Sequence, residues 1–156
     1  MKFGIYPNLG KKDLKMALER LTALLRDKNI DYSLPLSMKK GLMDMGFTED
    51  TYETDESMGK RDFILSVGGD GSFLGAARTF RDYPVLMAGL HLGDLGFLNS
   101  MTLRDMEKRV DQILSGDYQE EHRLYLSAAL IHGDGRKEKL PTVLNDVVIG
   151  HASIGQ

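Results

Sequence analysis

The 156-residue chain contains no cysteine, only four prolines and no long hydrophobic run. The absence of cysteine excludes thiolate metal sites, thiol catalysis and disulfide scaffolds, and it agrees with a reducing compartment. The apolar stretch at residues 3–6 ends at Pro7 and is too short for a signal peptide or a membrane span. We therefore expect a cytoplasmic protein with no membrane partner.

An excess of basic charge is also missing, because 20 Lys and Arg stand against 23 Asp and Glu and leave a net charge of −3. This balance argues against a nucleic acid partner, which would need a basic surface. The composition, 42% apolar and 28% charged, is typical of a soluble globular domain and excludes disorder, coiled coil and collagen.

Apolar strand patterns alternate with helical patterns through the first two thirds of the chain. Strands are predicted at 3–6, 32–36, 63–67 and 85–88, and helices at 14–25, 73–80 and 103–114. This alternation predicts an α/β fold with an open, mostly parallel sheet and helices on both faces. The acidic stretch at 49–56 is interpreted as a solvated loop.

The pattern changes between residues 117 and 123. Residues 124–131 alternate as in a strand, Gly133-Asp134-Gly135 is typical of a hairpin turn, and 143–149 is a second apolar run. We therefore predict an α/β nucleotide-binding domain at residues 1–118 and the start of a β-rich domain at 119–156. Two or three strands are marginal alone, so this part either pairs with another copy or belongs to something longer.

The glycine-rich segment Gly68-Gly69-Asp70-Gly71-Ser72 lies where a predicted parallel strand passes into a helix. Open α/β sheets bind ligands at such points, and glycine amides at a helix N-terminus favour phosphate. The segment is neither a Walker A loop, because no lysine follows its last glycine, nor a GxGxxG fingerprint. Ser72 could cap the helix or donate to phosphate.

Asp70 puts a carboxylate among groups that favour phosphate. Such a carboxylate could accept the proton of an attacking hydroxyl, as an aspartate does in kinase catalytic loops. It could equally cap the N-terminus of the helix. The segment alone does not decide between these roles.

A second glycine cluster, at residues 89–98, follows the next predicted strand. Two neighbouring glycine-rich loops can form the walls of one crevice, with Leu95 and Phe97 offering apolar surface to a planar base. Alternatively, Phe97 and Leu98 belong to the core.

Asn145 and Asp146 interrupt an otherwise apolar predicted strand, where polar groups need partners. Ribose hydroxyls could satisfy both, and a bulge or a turn is the alternative. The four histidines have no metal-ligand spacing, so no metal-ligating residue is predicted (His91, His122, His132, His151). Mg²⁺ is expected to enter with a nucleotide.

In order and spacing, three segments together resemble the NAD kinase family: 68–72, 93–98 and 144–149. Phosphofructokinases and diacylglycerol-type lipid kinases have similar glycine loops, but Leu95-Gly96-Phe97-Leu98 resembles NAD kinase. Ser72 stands where threonine is usual in the family and Asp146 where glutamate is commoner, and both keep the functional group.

The resemblance implies that Asp70 is the base acting on the adenosine 2′-hydroxyl of NAD. It also implies which residues bind the nucleotide. Gly69, Gly71 and Ser72 would lie along the phosphates, Leu74 and Phe97 would line the adenine, and Asn145 and Asp146 would bind the ribose hydroxyls. The implied partners are NAD and ATP, with ATP or polyphosphate as the phosphoryl donor and a divalent cation, Mg²⁺.

Family members continue into a β-rich second domain that adds NAD contacts and much of the oligomer interface. We expect this chain to be the N-terminal part of such an enzyme, with the second domain truncated, little turnover alone, and a homo-oligomer when that domain is present. Two alternatives remain at this point: a nucleotide-binding module without catalysis, and a sugar or lipid kinase with a similar glycine loop.

Overall fold

A computed structural model of the chain describes residues 1–93 and 96–148. The chain folds as two compact units, Met1–Gln119 and Glu120–Gln156. Each unit is described by itself below.

The first unit is built on a six-stranded sheet of order β3-β2-β1-β4-β5-β6, in which every neighbouring pair is parallel. Its strands are β1 (Lys2–Pro7), β2 (Asp31–Pro35), β3 (Tyr52–Glu53), β4 (Phe63–Gly68), β5 (Leu86–His91) and β6 (Met101–Thr102). Its helices are α1 (Leu14–Asp27), α2 (Lys39–Asp44), α3 (Asp55–Met58), α4 (Asp70–Phe80) and α5 (Met106–Ser115). The predicted α/β fold with a mostly parallel sheet is confirmed.

Helices cover both faces of this sheet. On one face, α1 and α5 bury an aliphatic cluster against alternate residues of β1, β4 and β5. On the other face, Ala76 and Phe80 of α4 pack on Ile64. All six residues of β4 are buried, as expected for a central parallel strand covered on both sides.

The acidic stretch at 49–56 is not a solvated loop, so that prediction is wrong. It forms β3 and begins α3, and Glu53 makes a two-pronged ion pair with Arg61, at 2.7 Å and 3.0 Å. Arg61 is buried and also donates to the carbonyl oxygen of Phe3 at 3.2 Å. A buried guanidinium needs a carboxylate partner, and this need orders the stretch.

The second unit contains an antiparallel hairpin of β7 (Ala129–Ile131) and β8 (Lys137–Lys139). Asp134 lies in its turn and accepts a 2.9 Å hydrogen bond from the amide of Arg136, which confirms the hairpin interpretation of this segment. The predicted strands are much shorter than expected. Beyond these strands, Leu126 and Val143 form a bridge, and the amide of Leu140 donates a 2.9 Å hydrogen bond to the carbonyl of Ala128.

Candidate functional site

The carboxyl ends of β4 and β5 meet at one edge of the sheet, where Gly68 is paired with His91. Gly68 begins the turn from β4 into α4. A Cβ atom at this position would collide with the Ser72 hydroxyl, so only glycine fits here. The tight turn brings the start of α4 directly over the strand end.

Ser72 anchors this turn. Its buried Oγ accepts hydrogen bonds from the amide of Gly69 at 3.1 Å and from Nδ2 of Asn8 at 2.8 Å. The bond to Gly69 satisfies a free amide at the N-terminus of α4, which confirms the capping role considered for Ser72.

Asn8, which sequence reasoning missed, joins the connection after β1 to the same turn. Its Oδ1 accepts from the amide of Gly10 at 3.0 Å, and its own amide donates to the carbonyl of Val67 at 2.9 Å. The signal in the sequence was Asn8 itself, a turn-forming residue directly after a buried strand.

Asp70 is the first residue of α4, and it does not cap the helix, because its side chain turns to the second glycine cluster. Oδ2 accepts from the amide of Phe97 at 2.8 Å, and Oδ1 accepts from the amide of Leu98 at 3.2 Å and from Nδ2 of Asn99 at 2.8 Å. A Cβ atom on Gly96 would collide with this carboxylate. The two glycine-rich segments are thus joined through one side chain.

These donors set the charge state of the site. The hydrogen bond from the Phe97 amide lowers the pKa of Asp70 against the opposing effect of desolvation, and Leu98 and Asn99 act in the same direction. Asp70 is therefore ionised at neutral pH. A carboxylate offers about four lone-pair directions, two on each oxygen. Of the three donors, one bonds to Oδ2, so one lone pair of Oδ2 is not used by them.

Phe97 lies outside the core, since its side chain is 99% exposed. The core alternative for this ring is wrong, and its half-buried neighbour Leu98 belongs to no core cluster either. Leu74, on α4, is half-buried. Asp94 and Leu95, which complete the second glycine cluster, lie outside the described residues.

The two remaining glycines of the first segment differ. Gly69 is buried at the start of α4, whereas Gly71 is exposed, and a Cβ atom added there would meet no atom within 4 Å. The space above Gly71 is open to a ligand.

Asn145 and Asp146 belong to the second unit and are exposed. They do not interrupt a strand, so the prediction that they need partners inside one is wrong. Ile149, the last residue of that predicted strand, lies outside the described residues.

Within residues 1–93 and 96–148, no three His, Asp or Glu side chains are grouped so that they could hold a metal ion. None of the helices in this part of the chain has the length and apolar character needed to cross a bilayer.

Comparison with known proteins agrees with this geometry. Residues 3–118 match the family described as the ATP-NAD kinase N-terminal domain. The chain is 36% identical over 148 residues to an NAD kinase of Teredinibacter turnerae, covering 94% of this chain and 49% of that protein. It is 34% identical over 149 residues to an NAD kinase of Saccharophagus degradans, with the same coverage of each chain. The chain thus spans about half the length of these curated relatives.

Two solved structures have a similar fold. The yeast NADH kinase complexed with NADH superposes with a TM-score of 0.72 at 16% identity, over 92% of this chain and 46% of that one. An NAD kinase from Archaeoglobus fulgidus in complex with ATP gives 0.56 at 18% identity, over 86% of this chain and 45% of that one. The match over residues 3–118 shows that the chain belongs to the ATP-NAD kinase N-terminal domain family.

Proposed function

We propose that this chain is the nucleotide-binding part of an NAD kinase, which transfers the terminal phosphoryl group of ATP or polyphosphate to the adenosine 2′-hydroxyl of NAD. One observation carries the proposal: the Asp70 carboxylate joins the turn before α4 to residues 97–99. An ionised acceptor thus lies between a phosphate-type loop and an exposed aromatic ring.

The phosphates are proposed to lie along Gly69, Gly71 and Ser72. The amides at the start of a helix favour anions, and the open space at Gly71 lets phosphate oxygens approach the backbone. The buried Ser72 hydroxyl holds the shape of the turn, and its own hydrogen remains available as a donor.

Leu74 and Phe97 are proposed to contact the adenine of NAD, and Asn145 and Asp146 are proposed to bind its ribose. The exposed ring of Phe97 and the half-buried Leu74 offer apolar surface to adenine. Asn145 and Asp146 have exposed amide and carboxylate groups of the kind that bind ribose hydroxyls.

In the proposed reaction, the 2′-oxygen attacks the terminal phosphorus while the bond from that phosphorus to the leaving phosphate oxygen breaks. Asp70 Oδ2 orients the hydroxyl and takes its proton. Its lowered pKa makes it a weak base, so orienting the hydroxyl is its main contribution, and positioning supplies most of the catalysis in phosphoryl transfer.

Mg²⁺ is proposed to arrive bound to phosphate oxygens. The donor set fits this, because Mg²⁺ usually keeps waters and needs only one or two carboxylates, and the described residues offer no larger cluster. The ion would neutralise charge that develops on the transferred group. We also propose a cytoplasmic location. A form extended by the region that its relatives have in addition is proposed to be a homo-oligomer.

A nucleotide-binding module without turnover is the second candidate. The lowered pKa of Asp70 favours it, since a carboxylate with three donors is a poor proton acceptor.

The test is an assay of NADP formation by this chain and by a form extended with the half that its relatives carry beyond it. We expect the extended form to make NADP at roughly 1 to 100 per second and the 156-residue chain to make little. Sugar and lipid acceptors serve as controls. Binding of NAD and ATP without NADP formation by the extended form would favour the second candidate.

A further inference from the structure

Two basic side chains that the sequence analysis did not connect approach the turn before α4 from neighbouring strands. A Cβ atom on Gly69 would lie 3.7 Å from Nζ of Lys11 and 3.5 Å from Nε2 of His91. Lys11 comes from the connection after β1, and His91 is the last residue of β5. We name the space between them the Gly69 cleft.

Neither side chain has a hydrogen-bonding partner in the described part of the chain. Lys11 is half-buried, and its amino group has no hydrogen bond or ion pair with residues 1–93 or 96–148. His91 is only 9% exposed, and its ring makes no hydrogen bond with that part of the chain, so that its Nδ1 is buried without a partner. Nε2 of this ring faces Gly69, so the ring is placed to bind a ligand at the turn.

The start of α4 adds two free donors to the same cleft. The amides of Ser72 and Phe73 both donate to the carbonyl of Gly69, at 2.9 Å and 3.2 Å. The amides of Asp70 and Gly71 have no acceptor within the described part of the chain. The helix N-terminus therefore presents unsatisfied amides beside a lysine.

The carboxylate of Asp70 also belongs to this site, and, in addition to the hydrogen bond from the Phe97 amide, its electrostatic interaction with His91 lowers its pKa. The carboxylate of Asp70 is held by residues 97–99 through three hydrogen bonds. It therefore forms no ion pair with Lys11. Lys11 is therefore not neutralised by direct contact with this carboxylate, and its ammonium group can pair with an anion.

We propose that Lys11 and His91 bind the terminal phosphoryl group of the phosphoryl donor in the Gly69 cleft. The glycine segment has no lysine of its own, and Lys11 supplies that missing cation from the connection after β1. A phosphoryl group has the several acceptor oxygens that an ammonium, an imidazole and two amides can share, and lysine is a common phosphate ligand. This inference rests on the proposed function, and it identifies the phosphoryl donor, not NAD, as the occupant.

The test measures binding of sodium tripolyphosphate, ATP and NAD to the 156-residue chain by calorimetry. Lys11→Gln should weaken tripolyphosphate and ATP binding about tenfold or more and change NAD binding by less than about twofold, because one charge-assisted hydrogen bond to the donor is lost. Lys12→Gln, which removes the same charge from the adjacent exposed residue, is the matched control and should change all three affinities by less than about twofold. Thermal unfolding of each variant verifies the fold.

Equal effects of the two lysine variants, or no tripolyphosphate binding by the parent chain, would overturn the inference. A loss of NAD binding in Lys11→Gln with ATP binding unchanged would overturn the assignment of the occupant. Binding of tripolyphosphate that depends on Lys11, together with no NADP formation by the extended form, would overturn the kinase proposal and support the anion site.

Discussion

The amide of Phe97 donates a 2.8 Å hydrogen bond to Oδ2 of Asp70, which lies 27 positions earlier in the chain. This contact fixes the distance between the Asp70 carboxylate, the proposed proton acceptor, and the backbone of Phe97, whose ring is proposed to contact adenine. A substitution at either residue tests both functions, and the experiments below are designed to separate them.

Asp70→Asn should reduce kcat of the extended form by about 10² to 10⁴, because the amide cannot accept the hydroxyl proton. NAD affinity should change far less. Steady-state kinetics and thermal unfolding are the measurements, and Asp134→Asn, in the hairpin turn, is the control that should leave both unchanged. Equal losses in the two variants would contradict a catalytic role for Asp70.

Phe97→Leu should weaken binding of NAD to the extended form by about 1 to 3 kcal/mol, the usual contribution of an aromatic side chain stacked on a base. The free energy of unfolding should change by less than about 0.5 kcal/mol, because the ring is exposed. Leu36→Ala, which removes an exposed apolar side chain elsewhere, is the control for binding. If the stability falls by several kcal/mol while affinity is retained, the ring serves packing.

Gly96→Ala and Gly71→Ala form a matched pair. The first should displace the Asp70 carboxylate and weaken both stability and activity, whereas the second meets open space in a helix and should raise the melting temperature slightly. If phosphate approaches the backbone at Gly71, Gly71→Ala should still weaken ATP binding. Unchanged ATP binding would argue against the phosphate contact at this position.

The ion pair of Glu53 and Arg61 should make the free energy of unfolding depend on pH in the acidic range. The hydrogen bond from Arg61 holds the pKa of Glu53 below its usual value of 4.5 in the folded protein, so the unfolded chain takes up a proton first as the pH falls. The stabilisation is therefore complete above about pH 5 and decreases as the pH drops through the lowered pKa of the folded state.

Urea unfolding of the 156-residue chain between pH 7 and pH 3 measures this dependence. Glu53→Gln should flatten the decrease below about pH 5, since the titrating group is gone. Glu56→Gln is the control, because Glu56 forms an exposed pair with Lys60 that contributes little. Equal flattening in both variants would show that the buried pair has no special effect.

The second unit should promote self-association. Leu124 and Ile131 are 88% and 71% exposed, and exposed apolar surface beside short strands favours contact with another copy. Light scattering of the 156-residue chain should show a mass above that of a monomer, and replacing both residues by lysine should reduce it. A monomer at all concentrations would contradict the expectation.

Much of the first unit was predictable because its strands are continuous apolar runs and its helices have clear periodicity. The exact first and last residues of these elements were less predictable. The last helix was predicted from residue 103 but begins at Met106, because Oδ1 of Asp105 accepts from the amide and the hydroxyl of Thr102 at 2.6 Å and 2.7 Å. That contact forms a turn before the helix.

The site was predicted in part. The strand-to-helix position of Asp70 could be inferred from local patterns, but its contacts with residues 97–99 depend on how two loops meet in space, which no periodicity records. Lys11 gave no signal, since it lies next to another lysine in a polar turn. The regular structure of the acidic stretch at 49–56 was not predicted, because its partner Arg61 looks like any surface arginine in the sequence.

The last residues of β4 and β5 alternate between two environments. Leu65, Val67 and Leu90 point into the aliphatic cluster, whereas Ser66 and His91 on the opposite face carry buried polar atoms without partners. Neighbouring positions along these strands therefore face a packed core on one side and unpartnered polar atoms on the other. In a complete substitution library, loss of abundance should mark Leu65, Val67 and Leu90, and loss of activity at normal abundance should mark Ser66 and His91.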